Sequence, residues 1–482
     1  MTAVFDVLIA GGGNAALCAA ISAAERGCSV CIVESAPRAM RGGNTRHTRN
    51  VRVAHDAGNG ILTGPYPVAE FMDDLERVTK GVMNRDLALM TLEKSKQVWD
   101  FLWAQGVRFQ PSLGGTLSLG RTNAFFLGGG RSMLNALYRR AEDLGVQVRY
   151  DTVVIGLEFD GDLFAAAQVR ANWDGSGDHK DADPDRASAS PTEQDERIAA
   201  RSFVAAAGGF EANIEWLRQA WGEAANNFLI RGTPYNRGGV LKLLLERGVE
   251  VIGDPKQCHA VAIDGRAPQF DGGIVTRLDC VPFGVVLNAN ARRFYDEGED
   301  FWPKRYAIWG RLIAAEPDQV GHVIIDAQSM GQFMPSVFPP ASADSLEGLA
   351  QKIGLDPAVV VDTINQFNAA CKPGVFDHTV HDDCRTEGLT PPKSHWARPI
   401  VEPPFYAYTL RPGITFTYLS VGVDAQARIR MANGQAVPNV FAAGEIMAGN
   451  VLGQGYLAGI GMTIGSVFGR IAGEEAAQYV NA

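Results

Sequence analysis

The chain opens on a short apolar run, Val4 to Ala10, that predicts a buried strand. GGGNAALCAAISAAERG follows, with small residues that permit close helix packing and Gly27 as a fitting C-terminal stop. Cys28 to Val33 is again apolar and predicts a second buried strand. Strand, glycine turn, helix and strand make a βαβ unit, which points to a doubly wound parallel α/β sheet. A helix from Gly130 leads into VQVRYDTVVIGL, and Phe203 to Ala207 predicts another strand, ending in AAGGF. Between them, residues 172–196 are rich in Asp, Ser, Gly and Pro, which predicts a flexible insertion. From 254 to 405 the βαβ rhythm is lost, Pro and aromatic residues increase, and LEGLAQKIGLDPAVVVDTINQFNAAC predicts amphipathic helices. The rhythm returns at VPNVFAAGE and a glycine-rich helix to Ala482. The pattern predicts a discontinuous first domain, 1–253 with 406–482, interrupted by a second, 254–405.

With 482 residues, 46% hydrophobic and 20% charged, the chain has ample material for more than one core. A net charge of −10 gives no general attraction to nucleic acid or anionic membranes, so an anionic ligand must meet a local basic pocket. The seven cysteines form no framework, and Cys28 and Cys31 lie in a strand-like run, so reduced thiols, no metal site and a cytoplasmic protein are expected. Between Glu445 and Arg470 lie 24 uncharged residues with Gly-x-x-x-Gly spacing. Seven of them are glycine and others are Asn, Gln, Thr and Ser, so no membrane span is expected.

Gly11-x-Gly13-x-x-Ala16, with Asn14 and Ala15 between, falls where backbone N–H groups at a helix N-terminus approach a pyrophosphate. Glu34, at the end of the second strand, suits the ribose hydroxyls of the adenosine. The distant VFAAGE ends on Glu445, an acid fit for a ribitol hydroxyl; such a second contact suits an extended FAD rather than NAD.

GGGNAALCAA, RGGNTRHTRN, AAGGF, RRFYDE, FAAGE and FGRIAG occur in this order, and over nearly its whole length the chain resembles the fumarate reductase/succinate dehydrogenase flavoprotein family. Within it, RGGNTRHTRN, FDGGIVTRLD, DEGEDFWPKRYAIWG and RPGITFTYL are similar to the FAD-dependent tricarballylate dehydrogenases. The resemblance implies a Rossmann-like FAD-binding domain with an inserted α+β capping domain, and substrate held between flavin and cap. It implies that Arg41, Gly42, Gly43 and Asn44 wrap the flavin, with Val154, Ala206, Gly208, Gly459 and Ile460 as further cofactor contacts. Where covalent members carry a histidine, Asn44 stands here, implying non-covalent FAD.

The same resemblance, after allowing four extra residues behind RRFYDE, implies Arg305 as the proton-transfer group. It assigns substrate carboxylates to His259 and Thr276. The family's relay glutamate is replaced by Arg277, with Asp279 as a substitute. A histidine pair is replaced by Thr415 and Phe416, and a substrate arginine by Tyr456. The run from Ser35 to His55 holds Arg38, Arg41, Arg46, Arg49, Arg52, His47 and His55 and no acid, which suits Arg46 and His47 to a carboxylate clamp.

The expected activity is FAD-dependent dehydrogenation of a CH–CH bond in a small di- or tricarboxylate, tricarballylate to cis-aconitate. Arg305 would accept the proton, and His259, Thr276, Arg46, His47 and Tyr456 would hold the substrate. The chain carries no iron–sulphur or haem motif, so electrons are expected to leave to a separate redox partner protein or quinone-linked acceptor, which would make the protein at most peripheral to the inner membrane. The alternatives are a 3-ketosteroid dehydrogenase-like enzyme with Tyr456 in an enolising role, a cobalamin-pathway flavoprotein, and a non-catalytic flavin electron-transfer subunit.

Overall fold

The computed structural model describes residues 4–113, 119–171 and 195–482. Strands β1 (Phe5–Ala10) and β2 (Val30–Val33) pair in parallel around helix α1 (Asn14–Ala24). Residues Val7 to Ala10 and Val30 to Val33 are buried, as strands covered on both faces must be. The sheet runs in the order Arg428–Arg430, Ala436–Ala442, Asp195–Ala205, β1, β2, Gln147–Arg149, and all its neighbours are parallel except the first pair. A hairpin, Thr152–Asp160 with Leu163–Ala171, joins the strand Asp195–Ala205 antiparallel. The predicted insertion lies outside the described residues up to position 194; Asp195 and Glu196 already belong to that strand.

The uncharged C-terminal stretch ends in the helix Ile460–Asn481, which packs on α1. A methyl placed on Gly469 would lie 2.5 Å from the Ala15 carbonyl oxygen, and one on Gly473 would lie 2.2 Å from that of Ala19. The glycine spacing therefore serves helix contact inside the protein. Among the described residues, no helix is long and apolar enough to cross a membrane.

A second sheet runs Leu229–Ile230, Phe405–Thr417, Gly321–Ile325, Val285–Asn288, and Cys258–Asp264 and Ala341–Ala343 also pair with the long strand Phe405–Thr417. The helices Leu346–Lys352 and Pro357–Ala370 cover part of it. Leu349, Ile364 and Phe367 pack with Val285, Leu287 and Ile324 in a smaller core. Local chemistry starts both helices: Ser345 Oγ accepts from Gly348 N at 3.1 Å, and Asp356 Oδ1 accepts from Ala358 N at 2.9 Å ahead of Pro357. The strand Phe405–Thr417 runs across the border expected at 405/406, and Leu229–Ile230 joins this sheet from well before residue 254. All seven cysteines are free, and burial pushes the Cys31 thiol up to about 12. No cluster of metal-ligating side chains occurs among the described residues.

Candidate active site

The parallel strands deliver their C-terminal loops to one edge of the first sheet, where doubly wound folds bind ligands. A cavity of about 1060 Å³ runs there. Gly11, Gly12, Gly13, Asn14 and Ala15 line it at the start of α1, Glu34 lies beyond β2, Val154 and Ala206 to Gly208 flank it, and Gly42, Gly43, Asn44, Glu445 and Gly459 face it. The N-cap of α1 is Gly13, which offers no side-chain cap, so the leading N–H groups and the positive helix end suit a diphosphate. Gly12 leaves room that a side chain would fill: a methyl there would lie 2.3 Å from Glu34 Oε2 and 2.2 Å from Tyr138 Oη.

Glu34 is buried, and its Oε1 accepts from Ala36 N at 2.9 Å. Burial pushes its carboxyl up to about 7, against the pull of the Ala36, Gly12 and Gly42 amides. Above that pH it is an ionised acceptor for ribose hydroxyls. With Glu445 on the far side, the donors and acceptors fit an extended FAD: an acid for the adenosine, a helix N-terminus for the diphosphate and a second acid for the ribityl chain. Asn44 is held at both ends of its side chain, its Nδ2 donating to the Thr415 carbonyl at 2.8 Å and to Glu211, and its Oδ1 accepting from Thr233 N at 2.8 Å.

At the other end of the cavity, Arg49, Arg231, Arg277, His259, Tyr306, Thr415 and Tyr456 converge. Arg49 Nη2 and Arg231 Nε and Nη1 are buried with no hydrogen-bond partner among the described residues. Burial, together with the neighbouring Arg277, holds both guanidinium groups down to about 10. Burial also pulls on Arg277, but the Asp279 carboxylate reverses this through an Nη2 to Oδ2 bond of 2.7 Å, leaving Arg277 above its ordinary value. Asp279 is itself lowered: burial raises it, but Arg277 and Arg49 outweigh that. Three guanidinium groups against one carboxylate leave this end net positive. Buried charged donors of this kind suit an anionic acceptor.

A hydrogen-bonded chain orders the neutral groups. Arg231 Nη2 donates to Thr415 Oγ1 at 2.9 Å, Thr415 Oγ1 meets His259 Nδ1 at 2.9 Å, and His259 Nε2 meets Tyr306 Oη at 3.2 Å. Burial, Arg231 and Arg277 keep His259 well below its ordinary value, so the ring is neutral. With Thr415 donating to Nδ1, the ring proton sits on Nε2 and is directed at Tyr306. The Arg277 guanidinium lies 4.7 Å from the centre of the Tyr306 ring. Burial raises Tyr306 above its ordinary value, and Arg277, Arg231 and Arg49 offset only part of that rise. Tyr456 stacks on His259 at 3.9 Å, and its hydroxyl accepts from Gly461 N at 3.0 Å.

Several residues expected at the site do not line the cavity. Arg305 donates to Tyr295 Oη at 2.9 Å and pairs with Glu299; that acid captures its charge away from the cavity, and the next residue, Tyr306, points in instead. Thr276 spends its hydroxyl on the Gly273 carbonyl at 2.8 Å. Arg46 Nε lies 4.0 Å from Asp271, whereas His47 does line the cavity with its Nε2 on the same carboxylate, and burial holds His47 down to about 4. Arg41 stacks 4.1 Å over the ring of Tyr138 and donates to Tyr150 Oη at 2.9 Å. Ala16 and Ile460 are buried within their helices. Arg231 was not singled out in the sequence. It follows a two-residue strand whose pairing partner lies far along the chain, so no local pattern marks it.

The chain resembles digoxin reductase of Eggerthella lenta, with 25% identity across 98% of this chain and 87% of that protein. Its fold matches a flavocytochrome c3 fumarate reductase in an open conformation, with a TM-score of 0.73 and 20% identity over 99% of this chain and 79% of the other. It matches equally well the 3-ketosteroid delta1-dehydrogenase of Sterolibacterium denitrificans, with a TM-score of 0.73 and 17% identity over 98% of this chain and 99% of the other. The family model of the FAD binding domain, FAD_binding_2, matches residues 6–462. With the glycine turn, Glu34 and the long cavity in place, the chain belongs to this FAD binding domain family and is an FAD-dependent oxidoreductase.

Proposed function

We propose that the protein dehydrogenates the CH–CH bond of a small polycarboxylate, with tricarballylate to cis-aconitate as the leading reaction, using non-covalently held FAD. The observation that carries this reading is that Arg49 and Arg231, whose buried guanidinium nitrogens lack partners among the described residues, line the same cavity as the flavin-binding loops. Bound FAD supplies the acceptor for the hydride. Arg49 and Arg231 bind carboxylates, and the geometry of a guanidinium favours two parallel hydrogen bonds to each. Arg277 adds positive field while Asp279 fixes its direction. Closing these groups around the substrate excludes water and holds the carbon where it can react.

The proton leaves to Tyr306. His259 donates to its oxygen and Arg277 lies against its ring, and together they would steady the phenolate that accepts the proton, offsetting part of the rise that burial imposes on the phenol. Asn44, engaged on both ends of its side chain, supports a non-covalent site because it offers no nucleophile for attachment. Electrons pass on to a separate redox partner or quinone-linked acceptor.

The fold shared with a 3-ketosteroid dehydrogenase suggests a steroid as the rival substrate, with Tyr306 and Tyr456 acting on a ketone. A steroid would leave the cations of Arg49 and Arg231 buried and unpaired, at a cost of several kcal/mol (roughly 1–3 for each unsatisfied group). Anaerobic mixing with tricarballylate tests the proposal: bleaching of the flavin absorbance is expected. Bleaching by a 3-ketosteroid and by no di- or tricarboxylate would overturn it, and reduction by a protein donor alone would identify an electron-transfer subunit.

A further inference from the structure

Glu211 is fully buried, and Glu445 sits at the cavity wall. Their carboxyl groups crowd one point above Gly209: a methyl there would lie 2.3 Å from Glu445 Oε1 and 2.9 Å from Glu211 Oε2. Among the described residues, the hydrogen bonds donated to them come from neutral groups. Glu211 Oε1 accepts from Asn236 Nδ2 at 2.8 Å and from Asn44 Nδ2; Glu445 Oε1 accepts from Thr417 N at 2.8 Å and Thr417 Oγ1 at 3.2 Å. Among the described residues, neither takes a hydrogen bond from Arg, Lys or His. With both groups ionised, Glu211 Oε2 is buried without a hydrogen-bond partner among the described residues.

Two adjacent buried carboxylates without a cation cannot both stay charged, and a proton between them gives Glu211 Oε2 its missing partner. We propose that Glu211 and Glu445 hold one proton in common, and that this positioning pair keeps the wall beside the flavin at a single negative charge. Burial and the like charge of the partner raise Glu445 well above its ordinary value, and burial raises Glu211. Among the described residues, the Cys258 thiol interacts electrostatically with Glu211 and the Tyr456 hydroxyl with Glu445; burial raises both, so neither adds a charge.

The consequence is electrostatic. Reduction adds electrons to the flavin, and a second negative charge nearby opposes it. Where alkali removes the shared proton to solvent, the flavin midpoint potential therefore falls more steeply with pH. Glu445 keeps an acceptor oxygen for the ribityl chain throughout, so FAD stays bound.

The test uses the FAD-loaded protein, with FAD content measured first by absorbance. A protein that takes up no FAD would sink the cofactor assignment, a failure distinct from that of the dyad. Infrared spectra at neutral pH are expected to contain a deuterium-sensitive C=O stretch of a protonated carboxyl that vanishes in alkali. Glu211→Gln removes that band, and with it the steeper fall of potential in the alkaline range. A band from Glu34 would survive the substitution. Should Glu211→Gln fail to fold, Glu445→Gln gives the same reading. The proposal is overturned if the wild type has no such band, if the band persists in both variants, or if the potential ignores the pH range in which the band vanishes.

Discussion

Arg231, which lines the cavity, meets Thr415 through a 2.9 Å hydrogen bond from Nη2 to Oγ1, which uses one nitrogen of a buried guanidinium and leaves Nε and Nη1 without a partner among the described residues. If those two donors bind a substrate carboxylate, Arg231→Met removes charge-assisted bonds of about 1.5–3 kcal/mol. The specificity constant should then fall roughly 10- to 150-fold. The loss should appear in KM, with FAD content unchanged, and steady-state kinetics beside the flavin absorbance ratio measure both. An unaltered KM would remove Arg231 from substrate binding.

Tyr306 and Arg305 are adjacent in sequence, yet only Tyr306 faces the cavity. Tyr306→Phe should slow reduction of the flavin by substrate roughly 10²- to 10⁴-fold in a single turnover. Arg305→Ala should leave that rate near the wild type, because its guanidinium is held by Glu299 and Tyr295. In the wild type the rate should rise with pH, since the tyrosinate is the accepting form. The opposite pattern in the two variants would return the proton to Arg305.

These assignments mark where the sequence was legible and where it was not. The βαβ unit is local: Gly11, Gly13 and Glu34 lie within one short segment whose apolar and glycine spacing is set by backbone geometry alone, and the strands and helix stand where that spacing predicts. Glu445 is also announced locally, as the acid that ends a strand and a small turn. The substrate end is different because it is assembled by long-range pairing. Arg231 reaches the site because its main-chain N–H donates to Ile414 at 2.9 Å, across a stretch that no local periodicity reports. The inward direction of Tyr306 rather than Arg305 depends on where Glu299 lies in space. Sequence spacing with a four-residue allowance does not resolve such a choice.

Glu34 gives a pH dependence with a definite sign. Its carboxyl stands at about 7 in the fold against an ordinary value of 4.5, so its stabilising contribution is complete below about 4.5 and is lost as pH rises through about 7. The FAD-free protein should lose about 3 kcal/mol of stability across that interval. Glu34→Gln should flatten the loss, and bound FAD should reduce it because a ribose hydroxyl donates to the ionised form. Denaturant melts at several pH values measure all three; a wild-type profile identical to that of Glu34→Gln would remove Glu34 as the cause.

Gly469 offers a test of how the cofactor site is held in place. The Ala15 carbonyl oxygen lies 2.5 Å from where a Gly469 methyl would stand, so the C-terminal helix touches the backbone of α1 directly. Asn14 reinforces the contact, its Nδ2 donating to the Met462 carbonyl at 3.1 Å and to Ser466 Oγ at 3.0 Å. Gly469→Ala forces the helices apart and should cost about 1–3 kcal/mol, as overpacking of a filled interface does. The displaced element carries the helix N-terminus that faces the diphosphate, so FAD affinity should weaken together with the melting temperature. Gly27→Ala is the control: nothing lies within 4 Å of a methyl there and the backbone φ is +84°, so any loss comes from local strain at the end of the helix rather than from helix contact. A Gly469→Ala protein that melts like the wild type and binds FAD equally well would show that the two helices do not set the position of the cofactor loop.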